Sequence, residues 1–316
     1  MFINAWRLMD TQGNTPILVT GAHRSGSTWV GEVLARARGL GYMHEPFNPI
    51  YPFPRSMCID KWYLYVGPHN HDAYYPYFEQ LFQWKYQGMS RITGVNSLFR
   101  AKMWAKYQAM YGMMRVRGAR PVVKDPIAFF SAPWLHAQFD MPVVLLIRHP
   151  AAFVYSLWRK DWNFPFEHLR GQKELMDGPL AHWAAQISDF SAIRRELLEQ
   201  ACLLWNILYG TALRYRGLHP SWFYLRHEDL SMDPLGQFGD LFNALGLRLD
   251  RHVERYLRES SDPANPGGTT GNEERKKRNS AQNSKYWKER MGQGEVEKVK
   301  RLTEQVWKHY YDETDW

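Results

Sequence analysis

The sequence predicts an α/β fold in which a mainly parallel central sheet is flanked by helices. Three observations carry this expectation. Pro16 to Thr20 is a short apolar, β-rich run closed by Gly21. Met141 to Ile147 is almost continuously apolar, the pattern of a strand buried on both faces in the middle of a parallel sheet. Between and after these runs, strand-like segments alternate with stretches of helical period, as βαβ units do.

The elements follow in order. After the first strand comes a Gly/Ser-rich loop, Gly21 to Thr28. Trp29, Val30, Val33, Leu34 and Ala37 then fall at helical spacing, over Trp29 to Arg38, until Gly39 stops the pattern. Tyr51 to Tyr111 is crowded with aromatics, among them Trp62, Tyr74, Tyr75, Trp84, Trp104 and Tyr107, and its Pro and Gly residues predict loops and short helices. Pro121 to Lys124 reads as a second short strand. Past the strongest strand, Arg148-His149-Pro150 leads into a helix over Ala151 to Lys160 with proline at its start. A long helical stretch, roughly Leu180 to Arg216, precedes a strand at Trp222 to Leu225. Asp233-Pro234 combines an N-cap with a first-turn proline, and that helix ends near Gly246. Ser260 to Asn272 is a Pro/Gly/Ser-rich loop, and charged helices run from about Ser284 to the end. No internal repeat and no second domain is evident, so residues 1–316 read as one domain.

Composition narrows the class. The chain of 316 residues is 45% hydrophobic and 15% aromatic, enough to bury a core and too apolar for intrinsic disorder. Cys58 and Cys202 are its two cysteines, which excludes a disulfide scaffold and fits a reducing compartment or plain core thiols. The first twenty residues hold no apolar stretch of signal-peptide length, and no run approaches the roughly 20 apolar residues of a membrane span. A cytoplasmic location is the expectation. The net charge of +8 is uneven. Gln80 to Lys124 contains nine basic residues and no acidic one, and Gly271 to Arg301 has ten basic against five acidic. Such charge points to an anionic partner without naming it.

Gly21 to Thr28, G-A-H-R-S-G-S-T, joins strand to helix, where loop amides and the helix N-terminus can cradle a phosphate. The spacing matches G-x-x-x-x-G-K-[ST] except that Ser27 stands where a nucleotide-kinase loop needs Lys. Kinase chemistry also needs a magnesium ligand, usually an Asp after a second strand. The corresponding strand here ends in Arg148, which binds anions and cannot hold magnesium. This pattern predicts a nucleotide that carries an extra phosphate with its own arginine.

These residues resemble the sulfotransferase family. His23 to Trp29, H-R-S-G-S-T-W, is similar to its 5′-phosphosulfate loop, and Ile147 to Ser156, with Arg148 and Ser156 eight residues apart, to its 3′-phosphate motif. Phe223 to Pro234 and Asn283 to Met291 resemble segments of the carbohydrate-sulfotransferase branch and its bacterial relatives. The resemblance implies a P-loop-type sheet with helical and loop insertions, the segment of about 50–120 serving the acceptor. It implies 3′-phosphoadenosine-5′-phosphosulfate (PAPS) as co-substrate, adenosine 3′,5′-bisphosphate (PAP) as product, and no required metal. Carried over by position, Arg24, Ser25, Gly26, Ser27 and Thr28 hold the 5′-phosphosulfate, and Arg148 and Ser156 the 3′-phosphate. Arg24 would also stabilise charge on the leaving phosphate and sulfuryl oxygens. Trp29 either stacks near the adenine or belongs to the core. Arg275, Lys276, Lys277 and Arg278 either form a flap over the 3′-phosphate or a solvated charge run.

An acceptor hydroxyl must lose a proton as it attacks sulfur, so a base is expected. The resemblance places it in the Glu45-Pro46 step, with Glu45 as general base and His44 and His149 as alternatives. Lys124 would stabilise the transferring group and Asp125 orient it, while Glu228 and Asp229 support the sheet edge. The expected acceptor is a carbohydrate or glycolipid, with polysaccharide sulfation the natural setting, rather than nucleic acid. The excess between Gln80 and Lys124 predicts that it is acidic. Rival readings are a P-loop small-molecule kinase and a non-catalytic glycan-binding module. Neither the acceptor's identity nor the oligomeric state is written in the sequence.

Overall fold

The computed structural model of the chain describes residues 15–50, 59–85, 98–193, 195–262, 264–265 and 280–316. Five short strands form one parallel sheet in the order β2-β3-β1-β4-β5. They are β1 Ile17–Gly21, β2 Leu40–His44, β3 Arg120–Lys124, β4 Val143–Ile147 and β5 Phe223–Arg226. Helix α1 (Ser27–Leu34) follows β1, and α2 (His71–Phe82) and α3 (Leu98–Val116) lie between β2 and β3. α4 (Ala132–Phe139) leads to β4. Between β4 and β5 come α5 (Pro150–Trp158), the short α6 (Glu167–Arg170) and α7 (Lys173–Asp177), α8 (Ala184–Ala192) and the long α9 (Leu197–Leu218). Past β5 lie α10 (His227–Met232), α11 (Pro234–Ala244), α12 (Arg251–Ser261), α13 (Ser280–Lys285), α14 (Trp287–Arg290), α15 (Gln293–Leu302) and α16 (Glu304–Trp307).

Period-two alternation divides the core between the two faces of the sheet. Leu18, Val123, Val143, Leu145 and Ile147 pack with α4, α5 and α9, whereas Ile17, Val19, Val122, Val144 and Leu146 pack with α1, α11 and α12. All ten are essentially inaccessible, and each such burial stabilises by about 1.5–3 kcal/mol. Because β1 lies between β3 and β4, the chain reverses its winding beside β1. Ligands of open parallel sheets bind at such a point, outside the carboxyl ends of the strands.

The structure corrects four element assignments. β2 is a strand that the sequence reading passes over, because Leu-Gly-Tyr-Met-His buries only its second and fourth residues and so makes no continuous apolar run. α3 spans 19 residues where short helices were expected, its Ala, Lys, Gln and Met residues being good helix formers. The helical stretch of Leu180 to Arg216 is two helices, α8 and α9, broken where Ile193 turns extended (φ −128°, ψ 128°). α1 ends at Leu34, and Ala37 stays buried in the turns beyond it. The Asp233-Pro234 start is as expected: the Asp233 carboxylate accepts from Gly236 N at 3.0 Å, and Gly246 lies past the end with φ +66°. Cys202 is a buried free thiol in α9, while Cys58 and the Arg275–Arg278 run lie outside the described residues.

Candidate active site

The loop between β1 and α1 is shaped by three positive-φ residues, Gly21 (142°), Arg24 (68°) and Gly26 (91°). A Cβ on Gly21 would stand 2.5 Å from the Leu146 carbonyl, and one on Gly26 would stand 2.3 Å from His227 Cδ2. Glycine is therefore required twice, for conformation and for close approach. Ser25 N donates to Ala22 O at 3.1 Å and Trp29 N to Gly26 O at 3.0 Å, which folds the loop over the start of α1. Ser25 is fully buried and its Oγ has no protein hydrogen-bond partner, while Thr28 is exposed at the helix start. The Trp29 indole donates to Ser260 Oγ at 3.1 Å and meets Phe238 edge-on at 5.1 Å, so these contacts seat α1 on α11 and α12.

The two segments expected to bind phosphate meet. Arg24 Nε donates to Ser156 Oγ at 2.9 Å, across 132 residues of chain. Arg148, at the end of β4, donates from Nη1 to the Arg24 carbonyl. Its backbone N–H donates to the Tyr209 hydroxyl at 3.1 Å, and its carbonyl accepts from Trp205 Nε1 at 2.9 Å, so α9 fixes the residue on both sides. The Arg148 Nε is buried with no partner. Burial lowers the proton affinity of this guanidinium, and the Glu228 carboxylate partly restores it. Glu228 accepts from His149 N at 3.1 Å and from the Tyr311 hydroxyl at 2.8 Å, tying the C-terminal segment to the Arg148 turn. Asp229 pairs instead with Arg226 at 3.0 Å, at the edge strand.

At the ends of β2 and β3 sit Glu45 and Lys124. Glu45 N donates to Lys124 O at 2.9 Å, and their side chains form an ion pair in which Lys124 is 3% and Glu45 14% exposed. The other Glu45 oxygen accepts from Asn48 Nδ2 at 2.6 Å. Burial would raise the Glu45 carboxyl, but the charges of Lys124 and His44 and the hydrogen bonds from Lys124 and Asn48 outweigh it, holding the group below its ordinary value. Glu45 itself has φ +43°, a strained conformation for a side chain of its size. Lys124 packs tightly under α1, since a Cβ on Gly31 would fall 2.8 Å from its own. Asp125 is fully buried, its carboxylate accepting from Phe47, Ile127 and Ala128 backbone N–H groups at 2.6, 2.9 and 3.2 Å. Burial and the nearby Glu45 push its pKa up to about 7.

His44 lies against Tyr42 beside Glu45. His149 is 2% exposed and stacks on Trp287 at 4.8 Å, with burial and the Lys288, Arg226 and Arg148 charges lowering its proton affinity. It caps α5 through Ala151 N.

The sequence reading passes over His23, Tyr63 and His227. His23 is buried beside Arg24, 4.9 Å from the Trp162 ring. The Tyr63 hydroxyl accepts from His23 N at 3.2 Å and lies 2.7 Å from His23 Nδ1, within hydrogen-bond reach of the ring. Burial and Arg24 push the His23 pKa down to about 3, so the ring is neutral at working pH. Tyr63 is 40 residues away, and no local pattern announces the pair. His227 is the wall against which Gly26 packs, and the sequence shows it only as a residue beside Glu228.

The loop and arginines suit an anionic nucleotide: a close-approach backbone, an unpartnered Ser25 hydroxyl and an unpartnered Arg148 N–H lie just past the ends of β1 and β4, the neighbouring strands at the switch point. Among the described residues no group of three or more His, Cys, Asp or Glu could hold a metal ion, and no helix is long and apolar enough to cross a membrane.

Comparison with known proteins bears on this arrangement. A search of curated proteins finds no match. Among solved structures, a sulfotransferase domain from the curacin biosynthetic pathway shares 14% identity, covering 92% of this chain and 97% of that one, with a TM-score of 0.49. A sulfotransferase domain from the Synechococcus PCC 7002 olefin synthase shares 17%, covering 98% and 99%, with a TM-score of 0.45. A mouse sulfotransferase complexed with PAP shares 11%, covering 96% and 87%, with a TM-score of 0.45. The sulfotransferase family model matches residues 16–251, which include the β1–α1 loop, Glu45, Lys124, Arg148 and Ser156. The chain belongs to the sulfotransferase family and is a sulfotransferase.

Proposed function

We propose that this sulfotransferase uses PAPS to sulfate a hydroxyl of an acidic carbohydrate, with Glu45 as general base. The observation that carries the donor assignment is the junction of Arg24, Ser156 and Arg148, which joins a 5′-phosphate loop to a second anion site at the end of β4. The donor supplies an activated sulfuryl group, whose bond to the phosphate oxygen breaks as the bond to the acceptor oxygen forms. Ser25, Gly26, Ser27 and Thr28 hold its 5′ end, and Arg148 and Ser156 its 3′-phosphate. Arg24, at the junction, counters charge on the leaving phosphate. Glu45, held ionised, accepts the acceptor's proton. When the Lys124 ammonium turns from Glu45 toward developing charge, the carboxylate gains proton affinity as it is needed. His23 adds a neutral ring beside Arg24. These roles require no metal ligand from the protein.

The acceptor reading rests on the bacterial carbohydrate-branch resemblance and on charge. The basic window is not one patch. Arg120 is buried, its guanidinium donating to the Thr15 carbonyl, and Lys124 is paired with Glu45. Lys85, Lys102, Lys106, Arg115 and Arg117 are exposed. Arg115 and Arg117 lie at or just past the end of α3, ahead of β3, and Lys102 and Lys106 lie in its first half. On this reading, residues of about 50–120 form the acceptor-side insertion of a single domain. Uronate-bearing glycans, neutral glycans and phenols incubated with PAPS, then weighed by mass spectrometry, test the proposal. Sulfation of the acidic glycan with acceptor affinity falling steeply with salt is expected. Sulfation of phenols alone, or a flat salt response, refutes the acceptor assignment.

A further inference from the structure

We infer a second ligand site, separate from the reaction centre, that takes a flat aromatic molecule bearing one acidic group. It is a cavity of about 620 Å³ between the Tyr65–Pro68 loop, α4 and the C-terminal half of α9. That size falls within the roughly 300–1,000 Å³ of small-molecule sites. None of the donor-loop residues, Glu45, Lys124, Arg148 or Ser156 lines it. α9 reaches the reaction centre through Tyr209, and the cavity through Tyr215, about 9 Å further along the helix.

The lining selects the ligand. Tyr65, Phe130, Trp134 and Tyr215 supply ring faces and edges, which favour a planar aromatic body. Several polar groups of the wall are already satisfied: Trp134 Nε1 donates to His71 Nδ1 at 2.9 Å, and Thr211 Oγ1 to the Ile207 carbonyl at 2.7 Å. A sugar, which needs many hydrogen bonds, is thereby poorly matched. Tyr215 is the exception. Its hydroxyl has no hydrogen-bond partner, but that oxygen is itself inaccessible, so what Tyr215 offers the cavity is its ring. At the rim Arg214 is anchored through one N–H to the Pro179 carbonyl at 2.8 Å, which holds a guanidinium charge at the mouth. No Asp or Glu is among the lining residues, and Arg214 is their one permanent charge.

Anilinonaphthalene sulfonate, an aromatic ring system with one anion, is the probe. Its fluorescence should rise saturably with the full-length protein, and saturating PAP should leave the binding unchanged. Ala137→Trp fills the cavity from an exposed position on α4 and should weaken binding about tenfold or more with the melting temperature kept. Leu218→Trp, at a residue 68% exposed, blocks the opposite wall and decides the matter if the first variant fails to fold. Arg214→Glu should weaken the probe about threefold or more by reversing the rim charge. Unchanged affinity in a folded blocking variant, or displacement of the probe by PAP, overturns the inference. Neither result bears on sulfuryl transfer, which is read separately.

Discussion

Glu45→Gln separates the stability of the β2–β3 rim from its chemistry. The substitution keeps the shape and the capacity to accept from Asn48 but removes the charge facing Lys124, an ammonium 3% exposed. Breaking a buried pair by removing one partner costs about 3–5 kcal/mol, because the remaining charge is left uncompensated. With an unfolding entropy of about 2.1 cal/mol/K per residue, 316 residues give about 0.7 kcal/mol per kelvin. The melting temperature should therefore fall by about 4–8 °C. Loss of a general base should lower turnover about 10²–10⁴-fold. PAP affinity, measured by calorimetry, should stay within about threefold, since the bisphosphate lacks the group that Glu45 and Lys124 face. Adding Lys124→Met should restore much of the melting temperature without restoring turnover. Turnover within about fivefold of the parent enzyme would refute the base assignment, and an unchanged melting temperature would refute the claim that Glu45 is the ammonium's principal counter-charge.

Other outcomes follow from the same geometry. Gly26→Ala forces φ +91° on alanine and sets a Cβ 2.3 Å from His227, so PAP affinity by calorimetry should fall about 10–100-fold; parental affinity would contradict the loop's role. Arg148→Met should weaken PAP about 10–100-fold while leaving adenosine 5′-phosphate nearly unaffected, and equal losses for both would remove the arginine from the 3′-phosphate. His23 has a folded pKa near 3 against an ordinary 6.5, so its neutral form contributes stability above pH 6.5 that is lost as pH falls toward 3. In melting scans the advantage of the parent over His23→Gln should shrink across that window, the opposing Asp125 contribution being common to both; a pH-independent gap would refute it.

Much of the geometry of the proposed donor half is legible in the chain. The Gly21–Thr28 loop lies between a strand and a helix that are contiguous in sequence, and Arg148 and Ser156 are separated by one turn and two helical turns. Such features obey local rules of glycine conformation, proline at a helix start and period-two burial, which a short window of sequence contains. The same rules make the sheet legible wherever a strand is buried on both faces, as β1, β3 and β4 are. β2 escapes because its residues alternate between buried and half-buried around a glycine.

The tertiary structure decided what depends on distant segments. Glu45 meets Lys124 across 79 residues, Tyr63 reaches His23 across 40, and Tyr311 reaches Glu228 across 83. The sequence shows Glu45 as a carboxylate beside a proline, while only the fold gives it a buried ammonium and a depressed proton affinity. It likewise divides the described part of one positively charged block between buried Arg120 and Lys124 and exposed residues at Lys85, Lys102, Lys106, Arg115 and Arg117. Backbone conformation is fixed by neighbours in the chain, so sequence reports it. Burial and pairing are fixed by crossover connections that bring different strand ends to one edge of the sheet, and no local pattern contains them.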